Sequence, residues 1–207
     1  DPSNTDESQP HLRDAQLNLY DAGNPNQPPY SADFLEHFAQ AQVARNRRIT
    51  AWVKEKLAVI RSSGNPWSEF AFTVHGTMAD PRWLDPSIEP SDRKAGSCYL
   101  GDPQIVNDGP VGLARFCTLR SWLSQWSYDD ARCDAIASGS RISVPVLVIG
   151  NSADDACTPS HTQRLYDAVT HEQKHLHVVK GATHYYTGAN GAEHMAEACG
   201  VIEKFLA

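Results

Sequence analysis

The sequence predicts an α/β protein built on a parallel sheet, and three observations in its final third carry that expectation. "VPVLVIG", residues 144–150, is a nearly uninterrupted apolar run of the kind found in parallel strands buried on both faces. "HLHVVKG", residues 175–181, reads as a second strand. Each is followed by a loop and a helical pattern, so the order is β–loop–α–β–loop–α, the right-handed crossover unit of an open parallel sheet.

The elements follow in order. Residues 1–30, crowded with Asp, Asn, Ser and Pro and opening on Asp1 without an initiator methionine, bury little and read as an extended arm whose beginning was cut from something longer. From Ser31 to about Arg61, Leu35, Phe38, Ile49, Val53, Leu57 and Ile60 recur at three- and four-residue steps behind a Ser31 cap, which predicts a helix. Gln42 and Asn46 interrupt the apolar stripe, with Arg45 and Arg48 beside them. That gap reads either as a kink, break or salt-bridged patch, or as the polar wall of a substrate pocket. "EFAFTVH" alternates Phe70, Phe72 and Val74 as a half-buried strand, and "MADPRWLDPSIEPSDR" is Pro-punctuated loop. "TLRSWLSQWS", residues 118–127, predicts a short helix with Trp122 and Trp126 one turn apart, a core pair or a ligand shelf. Together with Phe34 and Phe38 the two tryptophans hint at an apolar pocket, and Trp122 and Trp126 are the candidate substrate-binding residues. After the first parallel strand a helix should start near Thr158 with Pro159 in its first position. "AEHMAEACGVIEKFL" closes the chain as a helix with Met195, Ala198, Ile202 and Phe205 on one face. No internal repeat or low-complexity block interrupts this order.

Composition narrows the function. A chain of 207 residues with 41 % apolar residues supports one substantial core, or one core and an appendage. A net charge of −7 argues against nucleic acid as a partner, because phosphate binding needs clustered Lys and Arg. Five cysteines, widely spread and without a CxxC pair, fit a reducing, cytoplasmic compartment. No apolar run approaches the ~20 residues of a membrane helix, so no membrane partner is expected. Neither Cys nor His falls at the paired spacings of zinc sites, so no metal and no cofactor is expected.

In open parallel sheets the reactive side chains sit in loops just past the carboxyl ends of strands. Asp154 and Asp155 follow the first strand and His184 follows the second. Adjacent parallel strands lie roughly 4.8 Å apart, so loops leaving the same edge can bring an acid and a histidine within hydrogen-bond reach. A carboxylate held there fixes the imidazole tautomer and stabilises the imidazolium formed when the ring takes a nucleophile's proton.

"NSADDACTPSHTQRLYDAV" is similar to the acid loop and following helix of the α/β-hydrolases, and "KGATHYY" to their histidine loop; the order acid, helix, histidine is also theirs. From about Ile142 to Ala207 the chain resembles the C-terminal end of that fold. The earlier "YSADFLEHFAQAQVARNRRI", "PSDR" and "SWLSQWS" resemble the insert and flanking helices of a bacterial subgroup. The resemblance implies an arm over residues 1–30, a mainly helical cap or insert over 31–140 and a core segment over 141–207. It makes Asp154 the triad acid and His184 the general base, while a D-x-x-x-P frame counted back from Pro159 selects Asp155 instead. The acid not used is expected to face solvent or to cap the helix near Thr158. His161 caps that helix or lines the site, Cys157 is a packed thiol on the acid's loop, and His75, His177 and His194 are structural.

No G-x-S-x-G frame surrounds any of the 13 glycines. The Ser or Cys nucleophile, the preceding strands and the oxyanion loop are therefore expected on an N-terminal partner from a split or processed hydrolase. Two functions from different classes follow. One is hydrolysis of an ester, thioester, lactone or related acyl bond of a small molecule, with acyl transfer as a variant. The other is a ligand-binding protein that keeps the fold without the chemistry. A chain holding only the last strands of a sheet is not expected to fold stably alone.

Overall fold

The computed structural model describes residues 15–64, 66 and 69–207; the first 14 residues of the expected arm lie outside them. Among the described residues the elements run α1 (Ala32–Ser62), β1 (Ala71–Thr73), α2 (Pro81–Leu84), α3 (Pro103–Asp108), β2 (Phe116–Thr118), α4 (Leu119–Ser121), α5 (Ala135–Gly139), β3 (Val146–Asn151), α6 (Pro159–Ala168), β4 (Lys174–Val179) and α7 (Gly191–Leu206). The architecture is mixed α/β with one antiparallel pair, β1–β2, and one parallel pair, β3–β4. The chain divides into two compact units, residues 1–81 with 103–133, and residues 82–102 with 134–207. The segment 82–102, read from sequence with the cap, thus belongs to the unit that holds the parallel pair.

In the first unit, residues 15–30 form turns that are pinned rather than free. Leu19 and Tyr30 are buried, the Asn24 amide donates to the Asn18 carbonyl, and the Tyr20 hydroxyl donates to the Met78 carbonyl at 2.7 Å. Helix α1 starts where Ser31 Oγ accepts from the Phe34 amide and runs unbroken for 31 residues. The polar gap does not kink it. Asn46 spends both ends of its amide on backbone, donating to the Trp126 carbonyl at 2.7 Å and accepting from the Tyr128 amide at 2.8 Å, while Arg45 donates to the carbonyls of His75 and Gly76. The interruption in the stripe is where two loops are tied to the helix. On its C-terminal side Ile49, Val53 and Leu57 pack with Phe72, Val74, Cys117, Leu119 and Trp122 into one core.

The alternation around Phe72 forms β1 as read, and its partner β2 is the short "FCT" run, which was not expected within the mainly helical region 31–140. A three-residue strand has too little pattern to announce itself. The helix expected over residues 118–127 is one α turn capped by Thr118 followed by a wider turn, Trp122–Trp126, closed by the Ser127 amide donating to the Trp122 carbonyl at 2.8 Å.

In the second unit β3 and β4 pair in register from Val146 with Lys174 to Asn151 with Val179. Helix α6 covers one face, where Gly150 gives it room: a β-carbon there would stand 2.7 Å from Thr162 Cγ2. Lys174, pointing to the same face, donates to the Tyr166 and Val169 carbonyls at the end of α6, where a cation offsets the helix dipole. Helix α7 covers the other face, with Ala198 against Val179 and Ile149, His177 bonded to Glu197 and His175 edge-on to Phe205. The first strand was expected to be buried on both faces, yet Leu147 and Ile149 of β3 are only half-buried. The reason is the sheet's width: among the described residues no strand pairs with the outer edge of β3. Of the apolar face expected on α7, Ala198 is buried and Phe205 is half-buried against His175, while Met195 and Ile202 are exposed.

Candidate functional site

The site lies past the carboxyl ends of β3 and β4, within the second unit. The ladder continues beyond the strands, with the Ser152 amide donating to the Val179 carbonyl at 3.1 Å and the Ala153 amide to the Ala182 carbonyl at 3.0 Å. The two loops therefore leave the sheet side by side. Asn151 joins them again by donating to the Thr183 carbonyl at 3.0 Å, and Ser152 Oγ accepts from the Gly181 amide, which sits at a φ of +75° that favours glycine. Asp92, from the 82–102 segment, receives Ser152 Oγ and Lys180 Nζ and so clamps both loops from outside.

This frame sets Asp154 against His184. Asp154 is 6 % exposed. Its Oδ1 accepts from the amides of Ala156 at 2.8 Å and Cys157 at 2.7 Å, which fix the carboxylate's orientation. His184 Nδ1 lies 3.2 Å from Oδ1 and 3.1 Å from Oδ2. Because a carboxylate only accepts, Nδ1 carries the proton, and the lone pair is left on Nε2, which has no hydrogen-bond partner among the described residues. The His184 side chain is 29 % exposed, so a reacting group can reach it. Two aromatic rings hold the imidazole plane, Tyr185 at 4.7 Å and Tyr99 at 5.4 Å between centroids. Burial pushes the Tyr99 phenol up to about 12, so its hydroxyl stays protonated.

The neighbouring acid has a different environment. The Asp155 carbonyl accepts from Trp83 Nε1 at 2.6 Å. Burial, then the adjacent Asp154 charge, hold the Asp155 carboxyl above the usual range, against the opposing pull of His184 and Arg93. Asp155 is half-buried rather than turned to solvent, and it does not cap α6. That place belongs to Glu89, whose carboxylate accepts from the Ser160 amide at 2.6 Å and Thr158 Oγ1 at 3.0 Å. Burial raises the Glu89 pKa, but those hydrogen bonds and nearby Arg82 outweigh it and hold the carboxyl below the usual range. An anion at a helix N-terminus meets unpaired N–H groups and the positive end of the dipole.

The other residues singled out in the sequence fall as follows. His161, on the first turn of α6, accepts from Arg82 Nη1 at 3.3 Å. Cys157 is exposed as a residue rather than packed, and its amide is held by Asp154; its Sγ lies within 4.8 Å of an Asp154 carboxylate oxygen and a His184 ring nitrogen, and partial burial there, then the Asp154 charge, raises the thiol's pKa. Trp122 and Trp126 belong to the first unit: Trp122 is 3 % exposed in the core, its Nε1 donating to Thr50 Oγ1 at 3.0 Å, and Trp126 packs beside it. Phe34 and Phe38 are buried next to Tyr30 in that unit. A cleft of about 340 Å³ lies along α6, bounded by Glu89, Gly150, Asn151, Pro159, Leu176 and Val178. Among the described residues no helix is long and apolar enough to cross a membrane.

Glu89, Asp92, Trp83 and Tyr99 were missed by the sequence reading. Only the aromatic and acidic content of the Pro-rich loop pointed to Trp83, Glu89 and Asp92, and no signal pointed to Tyr99. Comparison with family models, with curated proteins and with solved structures gave no match.

Proposed function

We propose that this chain is the C-terminal part of an α/β-hydrolase, in which Asp154 and His184 are the acid and base of a triad acting on an ester, thioester, lactone or related acyl bond. The observation that carries the reading is the Asp154–His184 hydrogen bond, formed between neighbouring loops at the carboxyl end of a parallel pair, with Nε2 left without a hydrogen-bond partner among the described residues. In this mechanism Nε2 takes the proton of a Ser or Cys hydroxyl or thiol as it attacks the acyl carbon. The imidazolium that forms is stabilised by Asp154, and the proton then passes to the leaving group.

The nucleophile and oxyanion donors are assigned to a segment outside these 207 residues, since no elbow frame occurs in them. Two surfaces support that assignment. Among the described residues no strand pairs with the outer edge of β3, which carries the half-buried Leu147 and Ile149, and α7 carries the exposed stripe Met195, Cys199, Ile202 and Leu206. Both are what a sheet continued by further strands covers. The cytoplasm is the proposed compartment, supported by five unpaired cysteines.

The test is turnover by the complete assembly. His184→Ala should lower it by roughly 10⁴-fold or more without dissociating the partner. His161→Ala, which loses a contact to Arg82, should lower it less than about tenfold. Similar small losses from both variants, or a lone chain that unfolds cooperatively as a stable monomer, count against the reading.

A further inference from the structure

We infer that Asp154, Cys157 and His184 form a binding site for a thiophilic divalent cation of the zinc class. One carboxylate oxygen of Asp154, Sγ of Cys157 and one ring nitrogen of His184 all lie within 4.8 Å of one another, the one such trio among the described residues. With Zn–S near 2.3 Å and Zn–N or Zn–O near 2.0–2.2 Å, ligand atoms at the corners of a tetrahedron are about 3.4–3.6 Å apart. The Asp154–His184 side of the triangle is already 3.1 Å. Only the sulfur has to close in, by little more than about 1 Å at most, and Cys157 is exposed and free to turn about its χ1.

The chemistry of the donors fits the charge of the ion. A thiolate and a carboxylate supply two negative charges and the imidazole a neutral nitrogen, so binding releases the thiol proton and neutralises the dication. The support behind the ligands is also present: the amides of Ala156 and Cys157 orient the carboxylate, and the rings of Tyr99 and Tyr185 hold the imidazole. Three protein ligands leave a fourth position open to water, the pattern of exchangeable sites rather than closed structural ones. A cation bridging the carboxylate and the ring takes the place of the Nδ1 proton, which the neutral imidazole then carries on Nε2. The site is thus an alternative occupancy of the same residues, and its detection does not depend on the hydrolase reading.

Cobalt is the probe, because a Co²⁺–thiolate bond has a charge-transfer absorption in the near ultraviolet. Titration of the purified protein, together with any chain that copurifies with it, with Co²⁺ should give that band with one equivalent per chain, and Zn²⁺ should displace it. Loss even of outer-shell partners costs 10–100-fold in affinity, so Cys157→Ser should abolish the band and weaken Zn²⁺ binding by at least about that factor; His184→Ala should weaken it likewise. Cys133→Ser and Cys199→Ser, at the other two exposed thiols, should leave both unchanged. In the unmutated chain Zn²⁺ should also protect Cys157 from alkylation by iodoacetamide, read by mass spectrometry, which holds even where a variant folds poorly. Absence of the band, its survival in Cys157→Ser, or alkylation of Cys157 unaffected by Zn²⁺ overturns the site.

Discussion

If the proposed triad holds, Asp154→Asn stops its chemistry while leaving the fold nearly intact. Oδ1 of Asp154 holds the amides of Ala156 and Cys157, and Oδ2 is 3.1 Å from His184 Nδ1. An asparagine has one oxygen, and the loop decides where it goes: turning it away strands two amide donors at about 1–3 kcal/mol each. The oxygen therefore stays at the Oδ1 position, and the NH₂ group takes the place of Oδ2. Two donors cannot face each other, so the imidazole moves its proton to Nε2, the atom that has to accept one in the reaction. A wrong tautomer of this kind lowers the rate by about 10⁴, or about 5 kcal/mol of barrier at 1.36 kcal/mol per decade. Steady-state and burst turnover of a chromogenic acyl ester by the complete assembly, beside a thermal melt, measures both halves of the claim. Asp154→Ala is the control that also loses the loop amides, and its melting temperature should fall below that of Asp154→Asn. Asp155→Asn should keep most activity and melt no lower than the unmutated protein at neutral pH, because it removes a like charge next to Asp154. If Asp155→Asn is the kinetically damaging variant and Asp154→Asn the mild one, the acid has been misassigned.

Glu89→Gln should cost on the order of 1 kcal/mol at neutral pH by weakening the anion at the start of α6. Since the folded state holds Glu89 below its usual pKa, that contribution is complete above the ordinary glutamate value and is lost as the pH falls through the lowered one. Melting curves of both proteins across acid pH should converge accordingly, and a constant gap would refute the assignment. Gly150→Ala should destabilise by about 1–3 kcal/mol, because its β-carbon meets Thr162 Cγ2 at 2.7 Å, and adding Thr162→Ser should recover part of the loss in denaturant melts.

The parts of the fold legible in the sequence are those whose signal is local. β3 and β4 are continuous apolar or alternating runs, α6 has Pro159 at its first position, and α7 follows a clean helical pattern, so each appears within a few residues of where its pattern lies. The juxtaposition of Asp154 with His184 was legible for a different reason: parallel pairing of consecutive strands forces their following loops together, whatever the loops contain. What failed to show was long-range. Trp83 reaches Asp155 across 72 positions and Glu89 reaches Ser160 across 71, from a stretch whose prolines and turns give no periodicity. The polar gap in α1 was ambiguous for the same reason, because Asn46 is explained only by backbone 80 and 82 residues away.

Cys157 shows how far such reasoning reaches at the site itself. Paired Cys and His spacings reveal zinc sites only where one turn or one hairpin supplies two ligands. Here Asp154 and Cys157 lie three apart on one loop, and His184 arrives from the next strand's loop, so the spacing is set by the length of the α6–β4 crossover rather than by a local motif. The loop geometry that orients Asp154 is also what fixes Cys157, because the amide bonded to Oδ1 at 2.7 Å is Cys157's own. The proposed acid–base pair and the proposed cation site therefore draw on one loop conformation. A substitution that loosens that loop, such as Asp154→Ala, should weaken both together, whereas Cys157→Ser should affect only the cation, and that contrast separates the two uses of the same residues.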